Sequence, residues 1–492
     1  MLKPIDKAKW DYYTAAHLLN RAGFGGTPEE IEKLAAMSPA DAVLSLVNYE
    51  QTPDPTPDPE WAKPDPGRAE RLRTQRNADP DTRKMMQQQE QQLERQRILD
   101  LKHWWLMRMV HGPRPLQEKM TLFWHGHFAT SEDKVRDAYL MWRQNNLFRQ
   151  QATGDWLNLL TAMSKDPAML VWLDQAQSRK EHPNENFARE VMELFTLGEG
   201  HYTEKDITEA ARALTGWTYD RVTEQFVNRP ALHDTGIKTI LGRTGNLNGD
   251  DFLQQIVRQP QSSLYICAKL WNFFAGQDAS PALVSALALR FRTAGMNFKS
   301  VLVVMLLSEE FYADSIVRNQ VKSPVQWLVG AVRSLQREVP VPVVCLALTR
   351  SLGQDLFAPP NVKGWDGGLS WITTNNLLAR YNYAAFLVQG DMSVLRGLNL
   401  GGPNGGGNMQ MQNRLENVTP PLLDVDRILT EEERSDKTKL IAALERRFIQ
   451  GKLRDTQEQT LRDYLDGQPS LTPEVIRNTV RLLMSTPEYQ LT

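Results

Sequence analysis

Cysteine is scarce in this chain of 492 residues, and apolar runs long enough to cross a membrane are missing. The two cysteines, Cys267 and Cys345, provide neither a disulfide framework nor the spacing of a zinc site. Both stand in apolar helical patterns, which predicts buried and unreactive thiols. The apolar run VLVVMLL at residues 301–307 is far too short to span a bilayer. The sequence therefore predicts no transmembrane segment and no disulfide-held fold.

An excess of charge of either sign is also missing. The formal net charge is −2, so no overall attraction to nucleic acid or to an anionic membrane is expected. Even in the most charged stretch, residues 68–97, acidic side chains interleave with basic ones, and we predict no nucleic-acid binding. The N-terminal residues lack the basic start and unbroken apolar stretch of a secretory signal, which favours a cytoplasmic location. No phosphate-binding loop, dinucleotide-binding glycine pattern or Gly-x-Ser-x-Gly motif is present.

Helix-start patterns dominate what is there, as in Thr27-Pro28-Glu29-Glu30. Alternating strand patterns are nearly absent, apart from a stretch that predicts at most one small hairpin. We therefore predict a mainly α fold with long irregular loops. The main helical body covers residues 1–396, and it contains a Pro-rich loop at 51–67 and a charged helix at 68–100. A Gly- and Asn-rich loop follows at 397–421. C-terminal helices at 422–492 are predicted to pack on the main body.

Histidine is missing after His233, so any histidine chemistry lies in the first half of the chain. The stretch FWHGHF carries His125 and His127 on either side of Gly126. Residues two apart face the same way only in extended chain, and on a helix they diverge by about 200°. Because glycine costs a helix about 1 kcal/mol relative to alanine, we predict an extended or turned segment that aims both imidazoles at one point. That geometry suits a metal ion or an anion, and a hydrogen-bonded structural pair is the alternative.

A predicted helix further along the chain offers additional ligands. Asn186, Glu190 and Glu193 fall on one helical face at positions i, i+4 and i+7. Two carboxylates and an amide can complete a metal shell or serve as acid and base. Ion pairs of Arg189 with the glutamates of the same helix are the alternative interpretation. Arg189, Asn186 and the helix-starting Asn184 are also candidates for substrate binding.

Two further stretches contain candidate functional residues. The adjacent His233 and Asp234 lie in a predicted loop and can supply a further ligand or a base, with an exposed turn as the alternative. Trp365 follows Gly364 and, with Trp371, can form a platform for a sugar ring. Aromatic residues in a glycine-rich loop also serve to plug the edge of a core.

Two functions are consistent with these residues. In a metal-dependent hydrolase, His125 and His127 hold one divalent ion of unknown identity, assisted by Glu190, Glu193 or His233. One carboxylate then acts as a base on metal-bound water, whose pKa the ion lowers. In a non-enzymatic helical scaffold, the same side chains form a buried polar network that fixes the core.

Five blocks, in this order, resemble a bacterial family known as domain of unknown function 1800, from about residue 13 to residue 489. They are AAHLLNRAGFGGTPEEIEKL, EKMTLFWHGHFATS, PNENFAREVMELFTLGEGHYTEKDITEAARALTGW, HDTGIKTILGRTGNLNGDD and PPNVKGWDGGLSWITTNNLLAR. The FWHGHF stretch departs from the family pattern, in which Asn is common where Gly126 stands. The resemblance implies no settled activity and transfers no catalytic residue.

The family's setting carries a further implication. Its members often stand beside a second uncharacterised family similar to sulfatases and alkaline phosphatases, which are commonly exported. The resemblance therefore implies a sulfatase-like protein partner and an envelope or extracellular location, against the cytoplasmic location that the missing signal favours.

Overall fold

The computed structural model describes residues 2–391 and 422–492, and their fold is mainly α-helical, as the sequence predicts. The predicted Gly- and Asn-rich loop at residues 397–421 lies outside the described residues. The described residues form twenty-three α-helices, numbered here in chain order: α1 Tyr12–Ala22, α2 Pro28–Ala35, α3 Pro39–Val47, α4 Arg68–Asn77, α5 Pro80–His111, α6 Pro115–His127, α7 Glu132–Val135, α8 Ala138–Gln150, α9 Trp156–Ser164, α10 Pro167–Trp172, α11 Glu185–Glu190, α12 Glu204–Ala213, α13 Gly249–Val257, α14 Pro260–Ala275, α15 Pro281–Thr293, α16 Phe298–Leu307, α17 Pro324–Ser334, α18 Pro342–Ser351, α19 Thr374–Gln389, α20 Glu431–Ser435, α21 Lys437–Leu444, α22 Asp455–Asp466 and α23 Pro473–Met484.

Helix starts are set by the capping residues that the sequence predicts. At α2, Thr27 accepts the N–H of Glu30, and the Glu30 carboxylate accepts the N–H of Thr27 at 2.8 Å. Thr430 begins α20 with the same reciprocal pair. Proline in the first turn of α2, α3 and α23 costs no helical hydrogen bond, because the first N–H groups of a helix have no partner within it.

The charged stretch forms two helices rather than the single predicted one. The Asp79-Pro80 step ends α4 and starts α5, since the residue before a proline is driven out of the helical conformation. The first half of α5 is exposed, and its second half enters the core from Ile98 onward. The Pro-rich segment runs along α5, where Pro57 accepts the indole N–H of Trp104 at 2.8 Å.

Strand structure is confined to two small antiparallel hairpins. Strand β1, Trp217–Tyr219, pairs with β2, Phe226–Asn228, and β3, Lys238–Ile240, pairs with β4, Arg243–Gly245. The stretch predicted to form one hairpin thus contributes β2 and β3, but each pairs with a different strand. A 3-10 turn after β2 separates them and directs the chain away from β2.

Helix α6 lies between two hydrophobic cores. One core joins α1–α3, α9 and α11–α16 with residues of α6 such as Phe123 and Trp124. The other joins α5, α8, α17–α19 and the C-terminal helices, and it includes Leu122 of α6. Almost every residue of α6 is therefore buried, including Glu118 and Lys119. This placement makes α6 the element on which the candidate site is built.

The C-terminal helices pack in the second core, where Leu440 and Tyr489 are buried. The fully buried Arg21 of α1 donates to the backbone oxygen of Thr492 at 2.7 Å, which ties the two ends of the chain together. Both Cys267 and Cys345 are buried, as predicted. Over the described ranges, no helix combines the length and the apolar character needed to cross a membrane.

Candidate functional site

The FWHGHF stretch is helical, so the predicted extended geometry is wrong. It forms the last turns of α6, and the N–H of Phe128 bonds to the carbonyl of Trp124 at 2.8 Å. Burial of the neighbouring Phe123 and Trp124, at about 1.5–3 kcal/mol for each such side chain, outweighs the roughly 1 kcal/mol that Gly126 costs the helix. His125 and His127 consequently point in different directions and have different partners.

His125 acts as a hydrogen-bond acceptor in an aromatic cage. Its Nε2 accepts the backbone N–H of Phe357 at 3.0 Å, so the Nε2 lone pair is already used. The rings of Trp105, Phe357 and Trp365 lie 5.1, 5.0 and 5.6 Å from its ring. Burial lowers the pKa of His125 to about 3, and the charge of Lys102 adds to this. His125 is therefore a neutral structural residue that fixes the chain at Phe357.

His127 bonds on the other side of α6. Its Nε2 donates to the backbone oxygen of Phe195 at 3.0 Å. Its Nδ1 is buried, and within the described residues it has no hydrogen-bond partner. Burial, together with the charge of Lys269, holds its pKa well below the ordinary value, so the ring is neutral. Nδ1 is then a free acceptor beside the cavity described below.

The neutral histidines predict a loss of stability in acid. Because the folded-state pKa of His125 is about 3 and its unfolded pKa about 6.5, only the unfolded state takes up a proton between these values. Stability from this residue is complete above pH 6.5 and falls as the pH drops toward 3. In His125→Gln we expect a flatter decline in the free energy of unfolding over this range, measured by urea denaturation.

An exposed histidine provides the control for that experiment. His201 is exposed, and His201→Gln should reproduce the wild-type pH dependence. Equal slopes in all three proteins would contradict the assignment of a buried, neutral His125.

The carboxylate helix reaches the site through its backbone. After α11 the chain forms a π-helix, Val191–Leu197, whose wider turn shifts the face on which later residues lie. Its Leu194 carbonyl accepts the Tyr265 hydroxyl at 2.8 Å and the Lys269 ammonium at 3.3 Å. The Phe195 carbonyl is the one that His127 contacts. The stretch therefore contacts FWHGHF through backbone carbonyl oxygens, and not through the side chains of Asn186, Glu190 and Glu193.

The two predicted carboxylates have different surroundings. Glu193 accepts the Tyr202 hydroxyl at 2.6 Å. Glu190 is half-buried, and burial followed by the charge of Glu193 raises its pKa. In the described structure neither carboxylate bonds to His125 or His127.

The other predicted polar residues make local contacts. Asn184 caps α11, and its side chain donates to the Leu173 carbonyl at 2.7 Å. The backbone N–H of Asn186 is the group that Asn184 caps. Arg189 forms a bidentate ion pair with exposed Glu204, at 2.9 and 2.8 Å.

The predicted His-Asp pair also serves local structure. His233 Nδ1 contacts the Thr215 carbonyl at 2.9 Å, and Asp234 pairs with Arg212 at 2.7 Å. Over residues 2–391 and 422–492, no group of three or more His, Cys, Asp and Glu side chains is placed to hold a metal ion. The residues predicted as one metal centre are thus not brought together as a ligand set.

A cavity of about 510 Å³ lies against α6, α14 and the loop at residues 363–371, and we call it the α6 cavity. Of the predicted site residues, His127 and Trp365 line it. Trp371, which is largely buried, lines it as well. The loop is seated closely on the helix, because a Cβ on Gly364 would stand 2.4 Å from the Gly126 carbonyl oxygen. Glycine at 364, with φ +87°, permits this approach.

Lys119 is the unexpected residue of the α6 cavity. Its side chain is buried, with 3% of the residue exposed. The ammonium lies 5.2 Å from the ring centre of Phe24 and 5.5 Å from that of Phe273, and in the described structure it has no hydrogen bond or carboxylate partner. Burial lowers its pKa to about 7, and the charge of Arg21 adds to this. A buried amine without a counter-ion is costly and calls for an explanation.

Two more lysines belong to the same wall. Burial lowers the pKa of Lys269 to about 8, with a contribution from the charge of Lys363. The Lys269 ammonium lies 4.9 Å from the Tyr265 ring centre, and Lys363 is exposed at the rim. The carboxylates at the α6 cavity are Asp278, which accepts the Asn272 amide at 2.8 Å, and exposed Asp366, 3.9 Å from Lys363. Positive charge therefore lies inside the cavity, and these carboxylates have their own partners.

Sequence reasoning missed the lysines, although a signal was present. Lys119, Phe123 and His127 recur every four residues, which places them on one face of a helix. Lys269 likewise interrupts the apolar pattern ICAKLW of α14. A lysine on an otherwise apolar helical face predicts a buried amine. Because FWHGHF was predicted to be extended, Lys119, Phe123 and His127 were not recognised as one helical face.

Comparison with known proteins gives a family and no activity. A family model described as "Protein of unknown function (DUF1800)" matches residues 17–491. No curated protein and no solved structure matches the chain. Since the match covers nearly the whole sequence, the resemblance seen in the sequence blocks is confirmed, and the chain belongs to the DUF1800 family of proteins of unknown function.

Proposed function

We propose that the protein binds a small anionic molecule with an apolar or ring-shaped body in the α6 cavity. The observation that carries this proposal is the Lys119 amine, buried at the cavity wall with no carboxylate partner in the described structure. Most buried lysines in folded proteins are paired, because an unpaired charge in an apolar site costs several kcal/mol. A bound anion supplies the missing partner.

The positive charges of the cavity wall determine the charge that the ligand must carry. About 12 Å of helix axis separates Lys119 from His127, and His127 lies near Lys269. The ligand therefore meets two ammonium groups, Lys119 on α6 and Lys269 on α14. Binding restores the protonated state of Lys119, whose pKa without a counter-ion is about 7. Carboxylate and phosphate groups both satisfy this requirement.

The remaining wall supports an apolar body. Phe123 and Phe273, with ring centres 5.1 Å apart, line the floor, and Trp365 and Trp371 stand on the loop above. Aromatic walls with a few polar groups characterise small-molecule sites, and about 510 Å³ lies within the usual range of roughly 300–1,000 Å³.

Binding of simple aromatic anions tests the proposal. Benzoate and phenyl phosphate are titrated into the wild-type chain, with neutral benzamide as the shape control, and tryptophan fluorescence and calorimetry report binding. We expect at least one anion to bind at least about tenfold more tightly than benzamide, which corresponds to about 1.4 kcal/mol. Lys119→Met should lose that preference, and Lys205→Met, at an exposed helical lysine, should keep it.

The negative outcomes of that titration are equally specific. Equal affinity for benzoate and benzamide would remove the charge-based argument. Saturable binding that survives unchanged in Lys119→Met would place the site elsewhere.

A metal-dependent hydrolase with one divalent ion is the second candidate. The observation that favours it is the buried His127 Nδ1, which has no partner in the described part of the chain. One nitrogen is a single ligand, whereas a zinc ion needs three or four, so the substrate and water would have to supply the rest. The test is the metal content of untagged protein. Metal at near-stoichiometric level, retained in His125→Ala and lost in His127→Ala, would support it, and metal-free wild type would contradict it.

A sulfatase-like protein partner also stays a proposal, and it rests on the family resemblance alone. Co-purification of the two proteins at equal amounts would support it, and two separate peaks in size-exclusion chromatography at micromolar concentration would contradict it.

A further inference from the structure

We propose that a second cavity, around Lys322, binds a small oxyanion independently of the α6 cavity. This Lys322 cavity measures about 320 Å³ and lies between α1, α17 and the chain after α21. Basic side chains and a ring line it, namely Arg318, Lys322, Arg447 and Tyr489. Carboxylate and phosphate groups share the compact negative charge that such a site accepts.

The backbone holds Lys322 firmly in place. Its N–H donates to the Gln490 carbonyl at 2.9 Å, and its own carbonyl accepts the Arg380 guanidinium at 2.7 Å. The neighbouring Val321 forms an antiparallel bridge with Leu491. These contacts fix the root of the side chain, so the amine is presented to the cavity from a preorganised position.

The Lys322 amine lacks a counter-ion. It lies 4.0 Å from the ring centre of Tyr489, and the described structure gives it no hydrogen bond and no ion pair. Burial lowers its pKa to about 7, and the charges of Arg318 and Arg380 add to this. Lys322 is partly buried, less so than Lys119, and no carboxylate is paired with its amine in the described structure.

The two arginines of this cavity have few carboxylate partners, since Arg318 bonds to backbone carbonyls and Arg447 has one long ion pair. Arg318 donates to the carbonyls of Lys452 at 3.2 Å and Glu488 at 2.9 Å, which are neutral acceptors. Burial lowers its pKa, and the charges of Glu488 and Glu445 offset this only in part. Arg447 has the Ser334 carbonyl at 3.4 Å and the Glu29 carboxylate at a longer 3.6 Å.

Two carboxylates line the same cavity. Asp11 is engaged in capping α1, where it accepts the N–H groups of Tyr13 and Thr14 at 2.9 Å each, and Asp314 is exposed. Neither pairs with Lys322. The interior of the Lys322 cavity is therefore positive, and its volume favours a small ligand.

The two cavities are neighbours that share a wall. Gln326 lines both cavities, while Lys322 lines only the smaller one and Lys119 only the larger one. A substitution of Lys322 therefore tests the smaller cavity, and a substitution of Lys119 tests the larger one. Either proposal can fail without the other.

The experiment uses inorganic phosphate and acetate as separate probes. Each is titrated into the full chain by calorimetry, in wild type, Lys322→Met, Lys322→Arg and Lys205→Met, the last at an exposed lysine outside both cavities. We expect one probe to bind saturably in wild type, with affinity reduced at least about tenfold in Lys322→Met and largely kept in Lys322→Arg and Lys205→Met. The preferred probe identifies the ligand as phosphate-like or carboxylate-like.

A second measurement needs no variant at that position. Reductive methylation of wild-type protein is followed by peptide mass spectrometry, with and without the bound probe. We expect the probe to slow modification of Lys322 several-fold and to leave exposed Lys205 unchanged. Absence of saturable binding in wild type, unaltered affinity in Lys322→Met, or equal protection of both lysines would each overturn the proposal.

Discussion

Replacing Lys119 by methionine should make the protein more stable at neutral pH, although it removes the residue that we place at the centre of the ligand site. Methionine keeps the length of the side chain and removes the charge. Because the pKa of Lys119 is about 7 when folded and about 10.5 when unfolded, burying its ammonium costs free energy wherever both states are protonated. We expect a gain on the order of 1–3 kcal/mol in the free energy of unfolding at pH 6–7.

The sign of the pH dependence separates this effect from better packing. Between pH 7 and 10.5 only the unfolded state holds the Lys119 proton, so wild-type stability rises with pH and the advantage of Lys119→Met shrinks. Chemical denaturation at pH 6, 8 and 10 measures this change. Lys205→Met, at an exposed position, should follow wild type throughout. A gain in Lys119→Met that is the same at all three values would show that packing, and not charge burial, is responsible.

Replacing Glu118 by glutamine should cause the largest loss of stability among the single changes considered. Glu118, one residue before Lys119, is 2% exposed and pairs with Arg108 at 2.9 Å and Arg149 at 2.7 Å. It also accepts the Trp105 indole N–H at 2.9 Å. Burial raises its pKa, but Arg149 and then Arg108 outweigh burial and hold the pKa below its ordinary value.

Glutamine keeps the volume and removes the charge, so Arg149 loses its counter-ion and Arg108 keeps only Asp54. Breaking a buried pair in this way costs about 3–5 kcal/mol. Thermal and urea unfolding measure the loss. The matched control is Glu204→Gln, because Glu204 makes a bidentate pair with Arg189 at the exposed surface, where little or no change is expected. Similar losses in the two variants would contradict the distinction between buried and exposed pairs.

Helices were predictable from this sequence wherever local chemistry decides the structure. The reciprocal cap at Thr27 and Glu30 needs only four residues, and it forms as predicted. At Gly126 local preference fails, because tertiary burial of Phe123 and Trp124 decides the conformation. A prediction from Gly126 alone includes the cost of glycine in a helix and omits the larger free energy of burying Phe123 and Trp124.

The candidate site was predictable only in part for a related reason. Trp365 and His127 do line one cavity, and both stand in blocks that the sequence singled out. Lys119 was hidden because its isolation depends on what surrounds it, namely the rings of Phe24 and Phe273 from distant parts of the chain. The absence of a partner for a charge is a property of the folded state, and no local pattern encodes it.

The position of α6 in both hydrophobic cores has a consequence for cooperativity. Neither core is complete without this helix, so melting either half of the described structure exposes apolar surface of the other. The free-energy cost of opening one half therefore includes part of the cost of opening both, which favours a single unfolding transition over stepwise loss of subdomains. A ligand held against α6 then stabilises the whole body rather than one lobe, and amide hydrogen exchange would slow in both cores when the α6 cavity is filled.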